Sequence, residues 1–159
     1  MKITIIAVGK IKEKFYRDAI DEYSKRLSKY CKLEIKEVAD EKTPDHASDT
    51  VNQQILFKEG ERIKNLIPKD SYVVALAIEG KKYDSPEFAN RIKEAGIRGI
   101  SNITFIIGGS LGISDEIKKS AQAKISFSDM TFPHQLMRVI LLEQIYRGYK
   151  IITGEPYHK

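Results

Sequence analysis

The chain has 159 residues, a length that suits one domain with a proper hydrophobic core. Lys and Arg total 27 against 22 Asp and Glu, and the net charge of +5 suits a polyanionic partner such as RNA without requiring one. The sole cysteine, Cys31, excludes an internal disulfide, and the lack of a spanning apolar run or a cleavable leader makes a cytoplasmic protein the expectation.

Residues Ile3 to Val8 read as a buried strand, short and β-branched, which Gly9 ends. Between Glu13 and Tyr30 the apolar positions Tyr16, Ala19, Ile20, Tyr23 and Leu27 recur at helical spacing. Leu33 to Val38 alternates with Lys and Glu, as a half-exposed strand near a sheet edge would. A polar stretch from Asp40 to Thr50, with Pro44, reads as a loop. Ile55, Leu56, Ile63, Leu66 and Ile67 then mark a helix that stops before Pro68.

Tyr72 to Ile78 is predicted to be a central strand, with Glu79-Gly80-Lys81-Lys82 as its exit loop. Ser85-Pro86-Glu87 supplies a cap, a first-turn proline and a favourable acid for a helix carrying Phe88, Ala89, Ile92 and Ala95 inward. Gly96 and Gly99 end that helix. Ile103 to Ile107 is another buried strand, followed at once by Gly108-Gly109-Ser110-Leu111-Gly112. Ser114 with Asp115 and Glu116 starts a short helix, and Lys124 to Phe127 is a last short strand. The loop Ser128 to Phe132 leads to Pro133, which opens a long helix where its missing N–H costs nothing.

That last helix is apolar nearly all round, through Leu136, Met137, Val139 to Leu142, Ile145, Tyr146 and Tyr149. Such a helix must be covered on more than one side. The chain's own core covers one side; a second copy of the chain is the simplest cover for the other, and the plainer reading is a core helix with a few polar groups, such as Arg138, Glu143, Gln144 and Arg147, at its rim. The alternation of strands and helices predicts a three-layer α/β fold with a mostly parallel sheet in a single domain, 1–159.

Ligands of such sheets sit beyond the carboxyl ends of the strands. Glu79-Gly80-Lys81, Gly108 to Gly112 and Ser128 to Phe132 all leave central strands. Each alone reads as a tight turn; three together favour a ligand whose polar edges meet backbone groups. The first strand exits on Gly9-Lys10-Ile11-Lys12, not on a dinucleotide fingerprint, and no phosphate-loop motif occurs. His46, His134 and His158 lie far apart, so no metal site is expected. No serine nucleophile elbow is present, and Cys31 has no activating neighbours in sequence.

Ile106 to Ser110, Ser126 to Gln135, Arg138, Glu143 to Arg147 and the ending Pro156-Tyr157-His158-Lys159 closely resemble the ribosomal large subunit methyltransferase H family. The likeness covers the whole chain, with Leu111 departing where a polar residue is expected. It implies the SPOUT class of α/β fold with a C-terminal trefoil knot, active as a homodimer. It also implies S-adenosylmethionine as cofactor and N3 of a pseudouridine in helix 69 of 23S rRNA, on the ribosome, as the methylated position. Carried over residue by residue, cofactor binding falls on Leu76, Gly108, Phe127, Ser128, Asp129, Met130, Thr131 and Phe132.

Methylation at N3 requires a group that takes the ring proton. The candidates are His158 and His134, with Arg138 or Tyr157 polarising the neighbouring carbonyl oxygens. For His134 the plainer reading, a helix-start residue satisfied by backbone, is the one the sequence favours. Lysines and arginines between Lys10 and Lys32, and Lys81-Lys82, are candidate phosphate contacts or simply solvated faces. The competing readings are a related knotted methyltransferase for tRNA or another rRNA site, a non-catalytic ribosome-binding factor, and a nucleotide-binding α/β module outside the family.

Overall fold

The structure, a computed structural model, describes residues 1–159. Ten elements alternate along it: β1 (Lys2–Val8), α1 (Lys14–Leu27), β2 (Lys32–Val38), α2 (Asp49–Leu66), β3 (Tyr72–Lys82), α3 (Ser85–Ile97), β4 (Asn102–Ile107), α4 (Asp115–Ser120), β5 (Ala123–Ser126) and α5 (His134–Ile152). The strands form one parallel sheet in the order β2-β1-β4-β3-β5. This is the three-layer α/β arrangement expected from the sequence.

Successive side chains of a strand point to opposite faces. Ile3, Ile5 and Ala7 of β1, with Ile103, Phe105 and Ile107 of β4, therefore join one core layer beneath α1, α3 and α5. Ile6, Val8, Val73, Ala75 and Ile106 face the other way, against Ile63 of α2 and Ile113 and Ile117 around α4. Both faces being covered is why these strands read as unbroken apolar runs. β2, at one edge, keeps its Lys/Glu alternation and buries only Val38 fully.

α5 packs against both α1 and α3. Its Leu141, Leu142 and Ile145 are wholly buried, each worth about 1.5–3 kcal/mol of transfer from water. Tyr146 and Tyr149 meet Tyr30 from the end of α1, Tyr149 stacking on it at 5.6 Å. Leu136, Val139 and Ile140 are only partly covered by their own chain.

Three boundaries differ from the sequence reading. Ser48 caps α2 by accepting a hydrogen bond from the Val51 N–H, so the helix begins inside the stretch read as loop. The cap of α3 is Asp84 rather than Ser85: its carboxylate accepts from the Glu87 N–H while Glu87 accepts from the Asp84 N–H, and Ser85 and Pro86 form the first turn. Finally, Glu79 to Lys82 is not an exit loop but the continuation of β3. Leu76 and Lys81 both pair with Ile125, so residues 77–80 stand off the ladder before β3 rejoins β5. Gly80 makes this possible, because a Cβ there would lie 2.6 Å from the backbone of Ile125.

Candidate functional site

Beyond the carboxyl ends of β3, β4 and β5 lies a cleft of about 380 Å³. That is within the usual range for small-molecule sites. Its walls are residues 76–79, 107–113, 125–128 and 130–132, with Lys118, His134 and Met137. Each segment has a structural reason to be there. The displaced stretch of β3 turns Ala77, Ile78 and Glu79 toward the cleft. The turn after β4 closes through a bridge between Gly109 and Gly112, and Gly112 adopts φ +84°. A Cβ on Gly108 would overlap the Gly112 carbonyl oxygen, so that glycine serves the turn itself. The turn and ligand readings of this loop are thus compatible: tight closure is what presents its backbone to the cleft.

The loop after β5 is braced by its own hydroxyls. Ser126 Oγ donates to the Ser128 carbonyl at 3.0 Å, and Ser128 Oγ accepts from the Met130 N–H at 2.9 Å. Leu76, Gly108, Phe127, Ser128, Met130, Thr131 and Phe132, all expected at a cofactor site, line the cleft. Asp129 does not; its side chain is turned outward and meets Lys82 Nζ at 2.5 Å. At the mouth, Lys118 Nζ lies 2.7 Å from Glu79. That hydrogen bond holds the Glu79 carboxyl below its usual range. The sequence drew attention to Glu79 only as part of a loop and gave no signal for Lys118, which reads as an exposed helix lysine.

The four candidate catalytic side chains are not gathered at one point. His134 is on the cleft wall. Arg138, one turn further along α5, is buried away from it. Its guanidinium meets Glu37 at 2.5 Å and donates to the Gly9 carbonyl at 3.2 Å, tying α5 to the ends of β1 and β2. Tyr157 and His158 belong to a tail folded back on the outward side of α5. Tyr157 Oη donates to Glu143 at 3.1 Å and its ring packs edge-on against Tyr146. Burial, then the Glu143 contact, pushes its phenol up to about 12, so it stays a donor at neutral pH. His158 lines a second groove with Tyr83, Ser85, Phe88, Ile140 and Gln144. This groove shares Ile125, Ser126 and Phe127 with the cleft, so the two cavities are separated by one loop's thickness.

The turn before the tail is fastened separately. Glu155 accepts hydrogen bonds from Lys150 at 2.8 Å, Tyr30 at 2.9 Å and Thr153 at 3.0 Å, which lower its carboxyl to about 2. No group of three or more His, Cys, Asp or Glu side chains is placed to hold a metal ion. No helix is long and apolar enough to cross a membrane.

Residues 1–158 match the family described as "Predicted SPOUT methyltransferase". The chain is 65% identical over its full length to the full-length Ribosomal RNA large subunit methyltransferase H of Bifidobacterium adolescentis. It is 60% identical, again with both chains wholly covered, to the protein of the same name from Clostridium beijerinckii. Among solved structures, one described as "a probable methylase family protein from Haemophilus influenzae Rd KW20" superposes with a TM-score of 0.52 at 10% identity, covering 99% of this chain and 70% of that one. This last likeness concerns the fold alone.

Proposed function

We propose that this chain, which belongs to the SPOUT methyltransferase family, methylates N3 of a pseudouridine in helix 69 of 23S rRNA, with S-adenosylmethionine as donor. The observation that carries this reading is the cleft at the ends of β3, β4 and β5, lined by all the positions expected to hold the donor except Asp129. Full-length relatives named as ribosomal RNA large subunit methyltransferases support the choice of substrate class.

The cleft suits the donor physically. Leu76, Ile78 and Phe127 offer apolar faces for adenine, and the backbone of residues 127–132 offers N–H and C=O groups to read its edge. The open side of Gly112, where a Cβ would meet nothing within 4 Å, leaves room for close approach. Lys118 and Glu79 at the mouth suit a group bearing both charges, as the amino-acid end of the donor does. When bound, S-adenosylmethionine supplies an electrophilic methyl group on a sulfonium.

The chain's own work is alignment, exclusion of water and proton handling. The cleft and the groove in which His158 lies share Ile125, Ser126 and Phe127, so donor and target base would meet along this common lining. His134, on the cleft wall, and His158, in the groove, are the groups able to meet the target base, and Tyr157 is a donor on the same tail as His158. The half-covered Leu136, Val139 and Ile140 favour a homodimer closed through α5, and the trefoil knot belongs to the same reading. The protein would act in the cytoplasm on assembled ribosomes, whose shape would complete the recognition of the target.

Transfer of labelled methyl groups tests the substrate. Strong labelling of ribosomes lacking the modification, and weak labelling of naked 23S rRNA, is the expected pair of results; equal labelling of both would contradict the assembled substrate. Deleting Tyr157 to Lys159 should lower kcat by about a hundredfold or more, the scale of a lost group that meets the reacting base. Calorimetric affinity for the donor should stay nearly the same. Undiminished methylation by the shortened chain would remove the tail from the mechanism.

A further inference from the structure

The outward side of α5 carries a compact polar hub that the donor cleft does not use. Glu143 and Arg147 are one turn apart, with side chains 19% and 25% exposed. Arg147 forks onto Glu143, with Nη2 at 2.7 Å and Nε at 3.1 Å. Glu143 also accepts from Tyr157 Oη at 3.1 Å and from Gln144 Nε2 at 3.0 Å. The Arg147 guanidinium lies 4.6 Å from the centre of the Tyr157 ring. Its last arm, Nη1, reaches His158 Nδ1 at 3.2 Å.

That last contact has only one chemical solution. A guanidinium has donors and no acceptor, and it stays charged across the working range. His158 Nδ1 must therefore accept. An imidazole accepting at Nδ1 is neutral and carries its proton on Nε2. Its one basic nitrogen is occupied, and the polar edge left free is an N–H donor. His158 stands in the groove formed with Ser85, Phe127 and Gln144, the wall of which is shared with the donor cleft.

We propose that Glu143 and Arg147 are positioning residues that dock the tail and set the His158 tautomer, so that His158 donates a hydrogen bond to a carbonyl oxygen of a pyrimidine base in this groove instead of taking the ring proton. The assignment of the base rests on the methyltransferase reading above; the tautomer does not. A donor there stabilises the negative charge that spreads onto the carbonyl oxygens when N3 loses its proton. The proton itself passes to a solvent base, hydroxide or buffer. The N3 lone pair then forms the new N–C bond, and the pair of the broken S–C bond remains on sulfur.

Long-range proton–nitrogen NMR of the uniformly 15N-labelled protein, without substrate, reads the tautomer directly. His158 signals are assigned by their loss in His158→Gln. The expected spectrum shows an unprotonated Nδ1 and a protonated Nε2, moving to a solvent-averaged mixture in Arg147→Ala. If Arg147→Ala fails to fold, the isosteric Glu143→Gln loosens the same fork and should shift the spectrum in the same direction. A protonated Nδ1, or a wild-type spectrum already averaged, overturns the proposal.

Kinetics give the independent arm. The amide N–H of His158→Gln reaches the Nε2 position but cannot act as a base. Its kcat should fall less than about tenfold and still rise with pH, as it must when N3 gives its proton to a solvent base, whereas His158→Ala should fall about a hundredfold, the scale of a lost charge-stabilising donor. If His158→Gln is as slow as His158→Ala and the rise with pH disappears, His158 is the base and the proposal fails. A wild-type protein that methylates nothing would count against the function, while the NMR result would still decide the tautomer.

Discussion

Glu59, on α2, is a carboxylate held almost wholly out of solvent. Its neighbours Phe57 and Lys58 are exposed, and Glu61 and Arg62 are half-exposed. The fold instead buries it behind the turn after β4, where a Cβ on Gly109 would lie 3.5 Å from its Oε1. Its Oε2 accepts the Glu41 N–H at 2.9 Å, and Oε1 has no partner. Burial, with Asp40 and Glu41 nearby, raises its carboxyl above the ordinary value. The folded chain therefore binds this proton more tightly than the unfolded chain does. The resulting stability is fully present below pH 4.5, the ordinary value, and is lost as pH climbs through the folded value. Glu59→Gln keeps the acceptor without the charge. It should raise the melting temperature at pH 8 and change it less at pH 5; a lower melting temperature at pH 8 would contradict this account. The glycines were a comparable case. Gly80 and Gly108 were visible as exceptions in sequence, but the groups that crowd them, the backbones of Ile125 and Gly112, are distant partners that only the fold supplies.

At the scale of elements, strands buried on both faces were the easiest to read, because β1 and β4 leave no polar position to confuse the pattern. β3 was read correctly only to Ile78. Its continuation, Glu79-Gly80-Lys81-Lys82, has the composition of a turn, and its strand character comes from pairing with Ile125 and Ser126 more than forty residues later. The α3 start was placed within a residue, yet the cap was assigned to Ser85 when Asp84 was equally able to serve. The distinction is testable. Asp84→Ala removes one half of the capping box and should cost about 1 kcal/mol in a denaturant titration, whereas Ser85→Ala loses only its contact with Gln144. Equal losses from the two substitutions would return the cap to Ser85. For α5 the apolar circumference was readable, but the burial of Arg138 was not: its partners, Glu37 and Gly9, stand at the ends of two other strands.

For the molecule as a whole, the class of fold followed from the alternation of periods, while the strand order β2-β1-β4-β3-β5 could not, since each crossover is a choice between neighbours that local sequence does not record. The same gap hid the second groove, which brings the tail, α3 and the loop after β5 together. The positions that family likeness singled out fall, Asp129 excepted, on the walls of the cleft, but it said nothing of how Asp129 turns outward. The proposed dimer makes a further demand on α5. Ile140 lines the outer groove and is half-covered. Ile140→Glu should yield a single species near the chain mass of 18.1 kDa in sedimentation velocity, with little methyl transfer. A species of twice that mass, with full activity, would place the dimer contact elsewhere or remove it.

The central claim is that the cleft at the ends of β3, β4 and β5 delivers a methyl group to one ring nitrogen in the ribosome. Ribosomes from cells lacking this gene, incubated with the purified protein and deuterated-methyl S-adenosylmethionine, provide the measurement. Mass spectrometry of nuclease fragments of the 23S rRNA should find the label on N3 of a single pseudouridine in helix 69. Label at any other nucleotide, or no label despite demonstrated binding of the donor, would contradict the account.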